Sequence, residues 1–371
     1  MIYADNAATT PLDRDAFEVM CPFLLEYYGN ASQPYSFSVA GKKALKQARK
    51  TIAHRIGALP EEIYFTSGGT ESDNWAIKGI MAGSHGSMIT SQIEHHAVLH
   101  ACNAMERLGV RVEYLPADRN CVVQPEALKE RITQNTRLVS VMMANNEVGS
   151  VQPIAELSRI AHENGALFHT DAVQAVGHME TDVNCLEIDM LSASAHKFNG
   201  PKGIGFLYIR KGTAIQPYAD GGAQEAGLRA GTENVASIVA MAVALEKNCE
   251  HMQENQIRLR KLEQIMEDRL RAENIDFIRN GNRGIPGNIS LSIRGAEGEM
   301  LLHRLDLKKI YVSTGSACDS KNTEISHVIK AMKVPDEYAE GTIRVSFGAG
   351  NTEEDAADIA RALAEIMNGM K

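Results

Sequence analysis

No apolar run in this chain approaches the roughly 20 residues that a membrane-spanning helix needs. The opening Met-Ile-Tyr-Ala-Asp-Asn-Ala-Ala-Thr-Thr lacks the basic-then-apolar pattern of a secretory signal. Together these absences lead to the expectation of a cytoplasmic protein with no membrane partner. Positive charge is not in excess either, with 38 Lys and Arg against 47 Asp and Glu and a net charge of −9, so no broad cationic face for direct nucleic-acid binding is expected. The six cysteines (Cys21, Cys102, Cys121, Cys185, Cys249 and Cys318) show no CxxC spacing. Neither a zinc site nor a disulfide framework is indicated. The histidines, the pair His95-His96 included, are read as forming no ligand array, and no metal site is expected. Internal repeats, low-complexity segments and Pro-rich linkers are also missing. What remains is 371 residues, 44% of them hydrophobic, a length that ordinarily divides into two domains.

The hydrophobic pattern predicts helices over 13–27 and 38–57, the second amphipathic through Val39, Ala44, Leu45, Ala48, Ile52 and Ile56. Short apolar runs at 63–65, 87–90, 111–114, 138–142, 166–169, 190–193 and 205–209 then alternate with helical stretches. That alternation predicts an α/β fold, a mainly parallel seven-stranded sheet between helices, with ligands at the carboxyl ends of the strands. A long helical pattern runs from about 235 to Ala272, and short strands follow at 275–278, 288–292, 310–313 and 341–347. A helix from 324 to 332 and a closing one from Thr352 complete the pattern, which reads as a smaller α+β domain. The expected division is 13–250 for the large domain, with 1–12 and 251–371 forming the small one.

Chemistry concentrates at a few positions. Lys197 lies in Ser192-Ala193-Ser194-Ala195-His196-Lys197, directly after a strand candidate and just before glycines. That setting suits a Schiff-base lysine for pyridoxal 5'-phosphate better than it suits a solvated surface charge. Lys202, in a Gly-Pro-Lys-Gly turn, is the competitor. Asp171 ends an apolar strand, where a carboxylate needs a cationic partner; a pyridinium nitrogen would serve, and so would a helix N-cap role at Ala172. Gln174 and Asn146 are placed to reach the ring oxygen. The run Thr66-Ser67-Gly68-Gly69-Thr70-Glu71-Ser72 follows a strand and opens a helix, so it suits either a phosphate cradle or an ordinary cap; it is neither a Walker A loop nor GxGxxG. His95 follows another strand, where it can stack on a planar cofactor or be structural. Arg344, on the apolar run 342–347, calls for a carboxylate partner, from a substrate or from an internal salt bridge. Cys318, in Gly315-Ser316-Ala317-Cys318-Asp319, lies in a polar loop, where a thiolate nucleophile is as natural as a buried small hydrophobe is not.

In order and spacing these motifs resemble the pyridoxal-phosphate-dependent cysteine desulfurases of fold type I, within the class V aminotransferase superfamily. The resemblance runs nearly end to end, from Asp5-Asn6-Ala7-Ala8-Thr9-Thr10-Pro11 through Glu94-His95, Asn145-Asn146-Glu147, Asp171-Ala172-Val173-Gln174 and His196-Lys197 to Arg229-Ala230-Gly231-Thr232, Gly315-Ser316-Ala317-Cys318 and Ile343-Arg344-Val345-Ser346. It implies that Lys197 carries the cofactor, Asp171 pairs with the pyridinium nitrogen and His95 stacks on the ring. Gln174 and Asn146 would flank the ring oxygen. Gly69, Thr70, Ser194 and His196 would bind phosphate, with Thr232 reaching the phosphate of the neighbouring subunit in a homodimer. Arg344 and Asn30 would hold the substrate carboxylate, and Cys318 would accept sulfur from L-cysteine as a persulfide while L-alanine is released.

The long interval between Cys318 and Arg344 resembles the branch with an extended cysteine loop, which hands sulfur to an acceptor protein such as an iron–sulfur scaffold or a tRNA-thiolation enzyme. Three positions depart from the common pattern. Ala31 stands where proline is usual, Tyr35 near an expected histidine, and Ala226 in place of a frequent arginine. The sequence also ends at Lys371, where housekeeping members carry a scaffold-docking tail, so the resemblance leaves the acceptor open. A selenocysteine lyase, or another class V lyase or aminotransferase, is the nearest rival; Cys318 argues against lyases and aminotransferases that need no thiol.

Overall fold

The computed structural model describes residues 1–315 and 325–369. Cys318 therefore lies outside the described residues. The strands, in chain order, are β1 (Ile2–Tyr3), β2 (Ile63–Thr66), β3 (Ser87–Ser91), β4 (Arg111–Leu115), β5 (Thr136–Ser140), β6 (Leu167–Asp171), β7 (Met190–Ser194), β8 (Gly205–Ile209), β9 (Phe277–Asn280), β10 (Asn288–Ile293), β11 (Ile310–Tyr311) and β12 (Thr342–Ser346). Seven of them form one sheet in the order β2-β8-β7-β6-β5-β3-β4. Strands β3 to β7 are mutually parallel, and β8 runs antiparallel to both its neighbours. The expected mainly parallel seven-stranded sheet is present, and its direction reverses only at β8.

Every residue of β7 and β8 is buried, as continuous apolar runs require when helices cover both faces. From β3 the chain moves outward to β4, whereas β5 leads the other way to β6 and β7. The carboxyl ends of β3 and β5 therefore flank a topological switch point, where open α/β sheets form their ligand crevice.

A second, antiparallel sheet in the order β12-β10-β9 packs its apolar side against the helices Met252–Ala272 and Glu353–Asn368, around Leu262, Met266, Leu291, Ile343, Val345 and Leu363. Ala4 joins this core, because β1 pairs in parallel with β11. Thr352 starts the closing helix through a capping box with Asp355. Asp13 caps the first helix, Arg14–Leu25, by accepting from the amides of Asp15 and Ala16.

The helix expected from 235 to 272 is two helices, Val235–Glu250 and Met252–Ala272. At His251 the backbone leaves helical geometry, with φ −98° and ψ 9°. Tertiary packing explains the break. The first piece packs on the helices Arg14–Leu25 and Val39–Arg55, and the second on the closing helix; no proline or glycine marks the change. Among the described residues no helix is long and apolar enough to cross a membrane.

Candidate active site

A cleft of about 460 Å³ opens at the carboxyl ends of the parallel strands. After β2 the chain turns through Gly68, whose φ of +148° favours glycine, into the helix Gly69–Met81. A Cβ on Gly69 would lie 2.5 Å from Val173 Cγ2, so the helix start sits directly against the segment that follows Asp171. Ser194, from the end of β7, lies close enough that its Oγ would stand 3.4 Å from a Cβ on Gly68. Gly69, Thr70, Ser194, His196 and Lys202 all line this end of the cleft, and the positive end of the helix points into it. Glu71 is turned away from the anion role by a bidentate pair with Arg229 (2.8 and 3.2 Å) and by accepting from the Ser67 amide. Burial works against its ionisation, but these bonds hold its carboxyl below the usual range.

At the other end, Asp171 closes β6, 5% exposed, with Oδ1 accepting from the Val173 amide at 2.9 Å. The Asx-type bond from Val173 satisfies one lone pair, but the segment after Ala172 is a run of turns with no helix before β7, so the expected helix N-cap role is not found and the buried-acid reading stands. Burial pushes its carboxyl up to about 6; the Val173 bond and the charge of Lys197 oppose that rise. Asp73, also in the cleft wall, is raised well above its ordinary value by burial and then by Asp171, and among the described residues its Oδ1 has no hydrogen-bond partner. Glu94 behind them is pushed to about 8, chiefly by burial, while accepting from Met142 N and Ser91 Oγ. A buried acidic wall of this kind suits a cationic ring nitrogen.

Lys197 Nζ donates to the carbonyls of Ala7 (2.6 Å) and Ala8 (2.8 Å), and Gln174 Nε2 donates to the same Ala7 carbonyl at 2.9 Å. His95 caps the helix His96–Arg107, its Nδ1 accepting from the Ala97 amide at 3.1 Å. That bond places the ring proton on Nε2. Burial, and then Lys197, lower its pKa to about 4, so the ring is neutral at physiological pH. An anion cradle, a lysine amine and a buried carboxylate in one cleft fit a planar cofactor with a phosphate at one end and a cationic nitrogen at the other.

Arg344 reaches the cleft from β12, 2% exposed, with Nη2 2.7 Å from Asp5 Oδ1 and Nη1 donating to the Asn146 carbonyl at 3.0 Å. Among the described residues its Nε is buried without a partner. Ten expected positions thus share one cleft: Gly69, Thr70, His95, Asn146, Asp171, Gln174, Ser194, His196, Lys197 and Arg344. Asn30 and Thr232 do not line it; Asn30 is half-buried with Oδ1 accepting from the Ser32 amide, and Thr232 is exposed.

Sequence reasoning quoted Asp5 only as the start of the first motif and gave no role to it, to Asp73 or to the carbonyls of Ala7 and Ala8. It also passed over the one-turn spacing of His96 and His100. Their rings stack at 5.1 Å, and His327 lies 4.9 Å from His96, yet among the described residues no cluster of three or more side chains is placed to hold a metal. His327 Nε2 donates to the Glu94 carbonyl at 3.0 Å, and Ser326 Oγ donates to Glu147 Oε2 at 2.5 Å. Both contacts pin the chain that follows residue 324 to the cleft wall.

Comparison with known proteins agrees with this geometry. The aminotransferase class-V family model matches residues 2–359. A cysteine desulfurase IscS of Methanosarcina thermophila is 46% identical over 100% of this chain and 93% of its own length. A solved structure titled NifS-like protein superposes with a TM-score of 0.93 at 37% identity, covering 99% of both chains. Another, titled SspA in complex with cysteine, gives 0.83 at 34% identity over 94% of this chain and 99% of that one. The family's enzymes use pyridoxal 5'-phosphate, the group that the cleft fits. The chain belongs to the class V aminotransferase family, among its pyridoxal-phosphate-dependent cysteine desulfurases.

Proposed function

We propose that this enzyme takes sulfur from L-cysteine, releases L-alanine and leaves the sulfur on Cys318 as a persulfide. The observation that carries the reading is the convergence of Lys197, Asp171, His95 and Arg344 in one cleft beside an anion cradle. When bound, pyridoxal phosphate supplies an electron sink that makes the substrate Cα proton acidic.

The chain's own residues do the rest. Gly69, Thr70, Ser194 and His196 hold the phosphate, and Asn146 and Gln174 flank the ring oxygen. Asp171, too buried to stay ionised cheaply without a cation, keeps the ring nitrogen protonated. His95, neutral with its proton on Nε2, would lie against the bound ring and offer that proton. Lys197 Nζ is the base that takes the Cα proton. Arg344 fixes the substrate carboxylate and so aims Cα at the lysine, without Asn30, which lies outside the cleft. The Cys318 thiolate forms an S–S bond to the substrate sulfur as the Cβ–S bond breaks; that electron pair stays on Cβ, which gains a proton and becomes the alanine methyl.

The reading extends to the assembly. Thr232, exposed in the single chain, reaches the partner's phosphate in a homodimer. The large domain comprises 13–250, and 1–12 with 251–371 form the small domain that brings Arg344 to the cleft. The protein works in the cytoplasm and delivers its sulfur to an acceptor protein of iron–sulfur cluster assembly or thiolation. The test is incubation with L-cysteine, with alanine and protein-bound persulfide quantified. Lys197→Ala is expected to abolish turnover, and Cys318→Ala to abolish the persulfide. Undiminished alanine or persulfide in the respective variant overturns the corresponding role.

A further inference from the structure

The first ten residues form a strap across the cleft. One end lies on β12, where Asn6 N and Nδ2 donate to the Ser346 carbonyl (3.1 and 2.9 Å), Ala7 N donates to Ser346 Oγ (2.9 Å) and Ser346 N donates to the Ala4 carbonyl (2.7 Å). The other end is tied to the lysine-bearing turn, where Thr10 N and Oγ1 both donate to the His196 carbonyl (3.0 and 2.9 Å). Thr9 Oγ1 also lies 3.1 Å from His196 Nδ1. Between these anchors, Asp5 Oδ1 accepts from Arg344 Nη2 at 2.7 Å, and the Ala7 and Ala8 carbonyls accept from Lys197 Nζ. Two or three residues of backbone therefore separate the group that holds Arg344 from the groups that hold the lysine amine.

Arg344 cannot orient itself. It is 2% exposed, so its charge needs a nearby anion, and its fork is useful to a carboxylate only in one plane. Asp5 and the Asn146 carbonyl take one N–H from each terminal nitrogen, while among the described residues Nε stays buried without a partner and other N–H groups remain for a ligand in the cleft. We propose that Asp5 is a positioning residue that acts through Arg344 to set the seat of the substrate's carboxylate, and that residues 5–8 fix that seat relative to Lys197. The inference rests on the reading that Arg344 receives the carboxylate of an α-amino acid. It assigns Asp5 to the recognition of α-amino carboxylates as against simple amines.

The test compares the holoenzyme with Asp5→Ala and Asp5→Asn, using L-cysteine and cysteamine, the same thiol amine without the carboxylate. Calorimetric binding of L-alanine supplies a readout independent of turnover. Asp5→Ala is expected to raise KM for L-cysteine and weaken L-alanine binding by about tenfold, the effect of losing one charge-assisted hydrogen bond at a carboxylate seat. Its kcat stays within about threefold and its cysteamine kinetics do not change, because the seat is unused there. Asp5→Asn keeps an oxygen that accepts from Nη2 but not the charge, so its KM is expected to lie between those of Asp5→Ala and the unsubstituted enzyme. Should Asp5→Ala fail to fold, Asp5→Ser, too short to reach Nη2, carries the same expectation. Unchanged KM and L-alanine affinity, or an equal loss with cysteamine, overturns the proposal. Failure of the unsubstituted enzyme to act on L-cysteine would instead overturn the desulfurase reading, while L-alanine binding would still decide the role of Asp5.

Discussion

Replacing Asp171 by asparagine should stabilise the cofactor-free protein and disable the loaded one. The carboxyl lies 5% exposed at the end of β6, and burial raises its pKa from 3.8 to about 6 despite the Val173 bond and the pull of Lys197. An acid whose folded pKa is raised binds its proton more tightly in the folded state, so stability falls as pH climbs from about 4 to about 6 and the penalty is complete above that window. For a rise of this size the penalty is about 3 kcal/mol. Asparagine is nearly isosteric, keeps an oxygen for the Val173 amide and carries no charge. In urea unfolding of the cofactor-free protein at pH 8, Asp171→Asn should therefore exceed the unsubstituted chain by up to about 3 kcal/mol, and the advantage should vanish near pH 4. With cofactor added the order reverses, because the asparagine cannot hold a proton on the ring nitrogen, and alanine formation from L-cysteine should fall by at least about a hundredfold. A destabilised Asp171→Asn at pH 8 would refute the reasoning, since it would mean that the carboxylate already has its cationic partner without the cofactor.

Gly69→Ala places a methyl 2.5 Å from Val173 Cγ2, and Val173 is β-branched and slow to yield, so the cradle must open. Cofactor affinity, measured by absorbance titration, should drop about tenfold while the melting temperature without cofactor changes less. His95 should titrate near 4 in the cofactor-free protein, followed by the NMR shift of its ring carbon protons. Because that folded pKa is depressed from 6.5, the neutral ring's contribution to stability is present above pH 6.5 and is lost as pH falls toward 4; a midpoint above 6 would contradict its burial. Trp75, the chain's one tryptophan, is 1% exposed and donates to the Gln216 carbonyl at 2.9 Å. It lies six residues into the helix that starts at Gly69, a rise of about 9 Å, so cofactor loading should quench its fluorescence. Unquenched emission from a fully loaded enzyme would place the cofactor elsewhere.

The cleft was legible because each parallel strand announces itself as an apolar run, and the polar residue that breaks the run falls at the sheet's carboxyl edge. Asp171 ends β6, Ser194 ends β7 and His95 follows β3 within four residues, so finding the strands located the chemistry. Asp5 opened a recognisable motif, but no strand end marked its role. It precedes any long periodic segment, and its partner Arg344 is 339 residues away, brought near only because β1 pairs with β11 and Ser346 bonds back to Ala4. The lysine's other partners are backbone carbonyls of two alanines, which no side-chain pattern can reveal. The same logic explains the break at His251: both flanking helices have acceptable periodicity, and what separates them is which neighbours each piece packs against. Strand-end chemistry is thus encoded locally, while the strap that aims Arg344 and Lys197 at one substrate exists only after the two ends of the chain have met. A substitution at Asp5 should accordingly read out in substrate recognition rather than in cofactor retention, since the cradle at Gly69 and the acid at Asp171 form without it.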